Sequence, residues 1–211
     1  MRWRRRSAAP GPHPPLDALL ADGFVAFDTE TTGMDARSDR VVALAATRWG
    51  PHGETASLET LVDPGRPIPP GSTAVHGLDD TAVRGSPSLA EALPAFRAFV
   101  GDGIPVAHMA AFDLAFLRGP LAQAGLPALE RVLDTAVLAS RLLPPLPELS
   151  LDAVCARLDI PVVGRHTALG DARLAAAILV RLRPELERRG AATLRAALHW
   201  GDVTSTGRRS P

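Results

Sequence analysis

The sequence predicts an α/β domain in which a mixed sheet is covered by helices. Three observations point there. Three strand-like runs come first, joined by connections that contain Gly33, Gly50 and Gly53. Short apolar strand signals then alternate with helix-length amphipathic runs. The chain, 211 residues and 22.2 kDa, has the size of one domain whose core needs no disulfide or metal to hold it.

In chain order, the runs 24–28, 41–49 and 55–62 read as an antiparallel meander. Residues 88–100 follow as a helix interrupted by Pro94. A short apolar strand is expected at 104–108, then a helix over 110–124 that Gly119 and Pro120 should break. A last short strand at 132–133 leads into a helix over 136–143. Further helices are expected at 151–158 and, most clearly, at 170–189, which Gly190 closes. Residues 194–200 form one more short helix. Residues 1–15 are Arg-rich and then Pro-rich and are expected as a disordered tail, with 201–211 a second one and 16–200 the folded domain.

Hydrophobic residues make up 46% of the chain and charged residues 22%, which excludes disorder of the whole chain. The 23 basic residues are all Arg and are matched by 23 acidic ones. That balance excludes whole-molecule steering toward nucleic acid but leaves room for a local basic groove. No apolar run approaches the length that spans a bilayer. The arginines at positions 2, 4, 5 and 6 precede no apolar segment of export-signal length. Cys155, the only cysteine, sits on a helical apolar stripe with Leu151, Val154 and Leu158, as an inert buried thiol would. These features predict a cytoplasmic protein.

The acidic residues carry the chemistry. In Phe27-Asp28-Thr29-Glu30, strand alternation puts Asp28 and Glu30 on one face. Adjacent carboxylates on a mostly apolar strand repel unless the strand end is wet or a cation lies between them. Alone, the pair is equally a polar strand end running into a turn at Gly33. Asp113 adds weight, because in a helix it shares a face with Phe116 and Leu117, although the helix dipole also favours a first-turn acid. Asp171 heads the buried stripe of Leu174, Ala175, Ile178, Leu179 and Leu182. Burying it unpaired is costly, and a cation is the simplest compensation, the dipole a weaker one. His166 would lie about 140° from Asp171 on an ideal helix. The two converge only if His166 sits in the loop 163–167; by itself it reads as an exposed loop histidine. A set of hard oxygen ligands favours Mg²⁺ or Mn²⁺ over Zn²⁺. Two such ions about 4 Å apart suit phosphodiester hydrolysis, with a histidine of near-neutral pKa to take the water's proton.

Asp28-Thr29-Glu30-Thr31-Thr32-Gly33, Ala107-His108-x-Ala110-x-Phe112-Asp113 and His166-x-Ala168-x-x-Asp171-Ala172 resemble the three exonuclease motifs of the DEDDh 3′–5′ exonucleases. The proofreading epsilon subunit of bacterial DNA polymerase III is the best-known type of that family. Val75-His76-Gly77-Leu78 and Leu133-Asp134-Thr135 resemble two further family features, and the likeness spans roughly 24–180. The resemblance implies a ribonuclease H-like fold: a five-stranded mixed sheet, three antiparallel strands then parallel ones, flanked by helices. It implies that Asp28, Glu30 and Asp171 hold a pair of Mg²⁺ or Mn²⁺ ions, with Asp28 bridging. Asp113 would complete the site through a water, and His166 would be the general base. Thr31, Gly33 and Met34 would line the pocket for the 3′-terminal nucleotide, with Phe112 nearby. Asp134 keeps a structural reading, as a cap on the helix that begins at Ala136.

The implied substrate is the 3′ end of single-stranded or frayed DNA, released as nucleoside 5′-monophosphates. RNA 3′ ends, as in ribonuclease T-like and oligoribonuclease-like members, and a non-catalytic nucleic-acid-binding module are the alternatives. A DNA polymerase is the implied protein partner. Yet only about thirty residues follow the exonuclease region, without a Gln-led apolar clamp-binding peptide, so a stand-alone exonuclease is expected equally. One position departs from the family. Asn is usual where this chain has Met109, and methionine offers apolar contact in place of an amide.

Overall fold

The structure is a computed structural model and describes residues 23–203. The tail expected at 1–15 lies outside the described residues, as do 204–211. Gly201, Asp202 and Val203 were expected in the trailing tail, but they join the folded body. Gly201 ends the last helix, Asp202 bridges to Leu133, and the Val203 N–H donates to the Val132 carbonyl at 3.3 Å.

Five strands form one sheet: β1 (Phe24–Thr31), β2 (Val41–Gly50), β3 (Gly53–Leu61), β4 (Ile104–Ala107) and β5 (Leu133–Asp134). Their order is β3-β2-β1-β4-β5. The β1–β2 and β2–β3 pairs are antiparallel, and the β1–β4 and β4–β5 pairs are parallel. The mixed sheet predicted from the sequence is therefore the one present. Central β1 runs to Thr31, past the expected end at Asp28. Thr29 and Glu30 continue the ladder against Leu44 and Ala43, and the register slips only between Glu30 and Thr31. That irregularity ends the strand just where the acids stand.

Among the described residues the helices are α1 (Pro70–His76), α2 (Leu89–Val100), α3 (Ala111–Gln123), α4 (Thr135–Leu142), α5 (Leu151–Arg157), α6 (Ala168–Arg188) and α7 (Leu194–Gly201). Alternation along β1 sorts them into two layers. Phe24 and Ala26 pack with Leu138 of α4, Val154 of α5, Ile178 and Leu179 of α6, and Ala197 of α7. Val25 and Phe27 pack on the other face with Leu93 and Phe96 of α2 and Leu114 and Leu117 of α3. Extending the count, Asp28 and Glu30 belong to the α6 face, and Thr29 to the α3 face.

Helix α1 was not predicted, because seven residues are too short to carry a period. Its signal was in its ends: Pro70 in the first turn, and Gly77 in the left-handed conformation (φ 77) at the C-terminus. Gly119 and Pro120 do not break α3, which continues to Gln123. Pro94 and Pro184 lie on exposed sides of α2 and α6, and both helices continue through them. Helix α6 begins two residues before the expected start, capped by Thr167, whose hydroxyl accepts the Gly170 N–H at 3.1 Å. Among the described residues no helix is long and apolar enough to cross a membrane.

Candidate active site

The end of β1 presents Asp28 and Glu30 toward the head of α6, which supplies Asp171. One carboxylate oxygen from each of the three lies within 4.8 Å of the others. The approach depends on Gly170. A Cβ there would meet the Gly164 carbonyl oxygen at 1.8 Å, so only glycine lets the 163–167 loop lie flat on the helix head. That loop places His166 beside Asp171, with a left-handed backbone (φ 62) and its N–H donating to Asp171 Oδ1 at 3.3 Å. The histidine is in the loop, ahead of the helix, and its side chain is exposed.

Asp113 arrives from the opposite layer. It stands in the first turn of α3, is 2% exposed, and accepts a hydrogen bond from Thr29 Oγ1 at 2.7 Å. It is not one of the three clustered acids, but its charge bears on Asp28. Burial, then the Asp113, Asp171 and Glu30 charges, raise the Asp28 carboxyl well above its ordinary value. Burial and the Asp171 charge push Glu30 up to about 7. Burial also raises Asp113 to about 7, against the pull of the Thr29 hydroxyl. Asp171 is raised by burial, against the pull of the Arg165 guanidinium. Four acids thus resist ionisation together. Their hard oxygens, and the like charge they concentrate, fit a divalent cation such as Mg²⁺ or Mn²⁺.

Sequence reasoning passed over Arg165. Its Nε donates to both oxygens of Asp152, at 3.2 and 3.1 Å, and one of its terminal nitrogens donates to Asp171 Oδ2. The same nitrogen lies 3.3 Å from His166 Nδ1. Only the folded loop brings these groups together, and the one hint was a cation next to the motif histidine.

A cavity of about 570 Å³ opens over the acids. Asp28, Glu30, Asp113, His166 and Asp171 line it, as do Thr31, Gly33, Met34 and Phe112. All nine residues singled out from the motifs therefore face one space. At its edge the Thr31 hydroxyl donates to the Gly33 carbonyl at 2.7 Å. A Cβ on Gly33 would meet the Asp39 carboxylate at 2.5–2.8 Å, so any side chain there would have to push that carboxylate aside. Met34 projects 83% exposed, and the Phe112 ring lies 5.0 Å from that of Phe116. Unpredicted α1 supplies another wall with Ser72, Val75 and His76. Its Ser72 hydroxyl donates to the Thr32 carbonyl at 2.7 Å, which ties the helix to the turn after β1. His76 accepts the Leu78 N–H at Nδ1, and burial lowers its pKa.

Two polar residues near the site hold structure. His108 Nε2–H donates to the Leu149 carbonyl at 2.8 Å, and Nδ1 pairs with the Thr135 hydroxyl at 2.8 Å. Asp134 caps α4, as expected, by accepting the Ala136 and Val137 N–H groups. It also clasps the backbone N–H groups of Met109 and Ala110, at 3.1 and 3.0 Å.

Comparison with known proteins matches the chain to a family. The model of the exonuclease family matches residues 25–179. The DNA polymerase III subunit epsilon of Aquifex aeolicus is 35% identical over 171 residues, covering 81% of this chain and 85% of that protein. A DNA polymerase III subunit epsilon-like protein of Rhodobacter capsulatus is 43% identical over 189 residues, 87% of this chain, which spans only 26% of that relative's length. A PolC-type DNA polymerase III of Clostridium perfringens is 36% identical over 158 residues, 75% of this chain and 11% of that protein. Among solved structures, exonuclease X in complex with 5′ overhanging duplex DNA is 26% identical with a TM-score of 0.64, covering 79% of this chain and 93% of that one. Exonuclease I of E. coli, in complex with a dT13 oligonucleotide, shares the fold at a TM-score of 0.64 and 19% identity, covering 79% of this chain and 43% of that one.

Proposed function

The chain belongs to the exonuclease family, and we propose that it hydrolyses the terminal phosphodiester at the 3′ end of single-stranded or frayed DNA, releasing nucleoside 5′-monophosphates. The observation that carries this reading is the convergence of the Asp28, Glu30 and Asp171 oxygens within 4.8 Å beneath an open cavity with His166 on its wall. Those three residues would hold two divalent cations, Mg²⁺ or Mn²⁺, with Asp113 beside them. When bound, such ions ionise a water and neutralise charge at phosphorus and at the leaving oxygen.

The remaining steps belong to the chain. Thr31, Gly33, Met34 and Phe112 receive the terminal nucleotide, with Met34 and Phe112 offering apolar contact to the base. His166 takes a proton from the attacking water as the new oxygen–phosphorus bond forms. The bond from phosphorus to the 3′ oxygen of the preceding nucleotide breaks, and that strand departs one residue shorter. DNA is favoured as substrate, and a DNA polymerase as partner, by the relatives that are DNA polymerase III subunits and by the DNA-bound exonuclease X neighbour.

The test is degradation of 5′-labelled DNA and RNA oligomers with Mg²⁺, with Mn²⁺ and with EDTA. The expected result is a ladder shortening from the 3′ end, faster on DNA and absent in EDTA. Faster digestion of RNA would reassign the sugar preference. Immediate release of labelled mononucleotide would reverse the polarity. Activity unchanged in Asp171→Ala would overturn the site assignment. His166→Ala should slow hydrolysis by roughly 10²–10⁴-fold while leaving cation-induced stabilisation in place.

A further inference from the structure

We propose that Arg165 is an internal counter-cation that divalent ions must displace from Asp171, with Asp152 as the anchor to which it retreats. This rests on the reading of Asp28, Glu30 and Asp171 as cation ligands. Both oxygens of Asp171 are already engaged, Oδ2 by the Arg165 guanidinium and Oδ1 by the His166 N–H. A cation shared among Asp28, Glu30 and Asp171 therefore meets a fixed positive charge on one of its own ligands. Ion and guanidinium repel and compete for the same carboxylate.

The way out is also built in. Arg165 Nε is held by both oxygens of Asp152 on α5. The Asp152 side chain is 55% exposed, whereas that of Asp171 is 7% exposed. The guanidinium can thus give up Asp171 and stay paired at the solvated rim. Only the side chain needs to move, because the loop backbone is tied down by the Thr167 N–H and hydroxyl, which both donate to the Gly164 carbonyl. The consequence is a latch on loading. Apparent affinity equals intrinsic affinity multiplied by the fraction of molecules in which Arg165 has let go. The Arg165 guanidinium also sets a positive charge against the Asp171 carboxylate, so it stabilises the clustered acids before a cation arrives.

The experiment is Mn²⁺ titration of the full chain, followed by electron paramagnetic resonance of the free ion, with thermal melts alongside. Arg165→Met should bind Mn²⁺ about tenfold more tightly, as expected if about one molecule in ten is open, and should melt lower without the ion. Asp152→Asn removes the anchor and should act in the opposite direction, weakening Mn²⁺ binding about threefold. In the Arg165→Met background the Asp152 substitution should have no effect, which a double-mutant cycle reads directly. Arg165→Lys keeps the charge but cannot span Asp152 and Asp171 together, and should fall between wild type and Arg165→Met. Unchanged or weaker Mn²⁺ binding in Arg165→Met, or in Arg165→Lys should the first not fold, overturns the latch. Tighter binding in Asp152→Asn overturns it too. A wild-type chain that takes up no Mn²⁺ sinks the cation reading itself, and the latch with it.

Discussion

Asp134 and Asp28 are the same residue type in one sheet, Asp134 buried at the end of β5 and Asp28 half-buried within β1. Their surroundings are opposite. Asp134, 3% exposed, accepts four backbone N–H groups, from Met109, Ala110, Ala136 and Val137. Its charge is fully answered by the fold. Asp28 faces the charges of Asp113, Asp171 and Glu30, and its pKa rises accordingly. A buried acid given donors stabilises the chain; a buried acid given other acids destabilises it unless a cation arrives. The difference separates structural carboxylates from functional ones with no reference to motifs, and exchanging their roles by mutation should fail in characteristic ways.

The largest effect should come from Asp28→Asn. On the proposed reading of Asp28 as a cation ligand, its removal should forfeit several kcal/mol of transition-state stabilisation, or at least about a 10³-fold loss of exonuclease rate. Stability should move the other way. Without divalent ions the variant should melt no lower than wild type, because one member of a repelling set is gone. Its Mn²⁺-induced gain in Tm should disappear. A variant that melts far below wild type would mean Asp28 is structural after all.

Asp134→Ala should invert that pattern. Four backbone N–H groups lose their acceptor, and the cap of α4 goes with them. The expected cost is about 2–4 kcal/mol, read as a lowered midpoint in denaturant. The Mn²⁺-induced gain should persist in the molecules that fold. Loss of cation binding with unchanged stability would erase the distinction drawn between the two acids.

The acid cluster also predicts how pH acts. Glu30 titrates near 7 in the fold against an ordinary 4.5, so between those values the folded chain holds a proton that the unfolded chain releases. Stability from that proton is present below 4.5 and is lost as pH rises through about 7. Without divalent ions, Tm should therefore fall across this window. Mn²⁺ at a fixed concentration, about 100 times its Kd at neutral pH, should add about 2.7 kcal/mol there, and at that same concentration the gain should grow as pH rises and the acids ionise. A Tm that climbs with pH in EDTA would contradict the cluster.

Much of this was legible in the residue order, for a physical reason. Strand alternation is local, so Asp28 and Glu30 had to share a face. The apolar stripe of α6 is periodic, so Asp171 had to head it. What stayed hidden depends on contacts between distant segments. The polar run Thr29–Thr31 lies past the expected strand end at Asp28, yet it stays in the ladder because β2 continues beside it. Helix α1 is too short for periodicity and shows only in its terminal Pro and Gly. Asp134 was readable as a cap, but its clasp on residues 109 and 110 exists only because β5 lies beside β4. Arg165 gains its partners only when Gly170 lets the loop fold back.

The smallest predicted effect tests the clasp itself. Asp134 holds Met109 by its N–H, and Met109 adopts the left-handed conformation, with φ 54. That region costs an ordinary L-residue roughly 1–2 kcal/mol, and asparagine much less, because its short amide bonds locally. Hence the family's usual Asn suits the backbone at this position, whatever else it touches. Methionine is tolerated because Asp134 over-determines the turn, and its side chain, 48% exposed on the cavity wall, gives up little core packing if replaced. Met109→Asn should therefore raise stability by roughly 0.5–1 kcal/mol, a fraction of the left-handed penalty. The gain should shrink in the Asp134→Ala background, where the turn is free to relax. A Met109→Asn variant that destabilises the chain would locate the value of methionine in packing rather than in backbone tolerance.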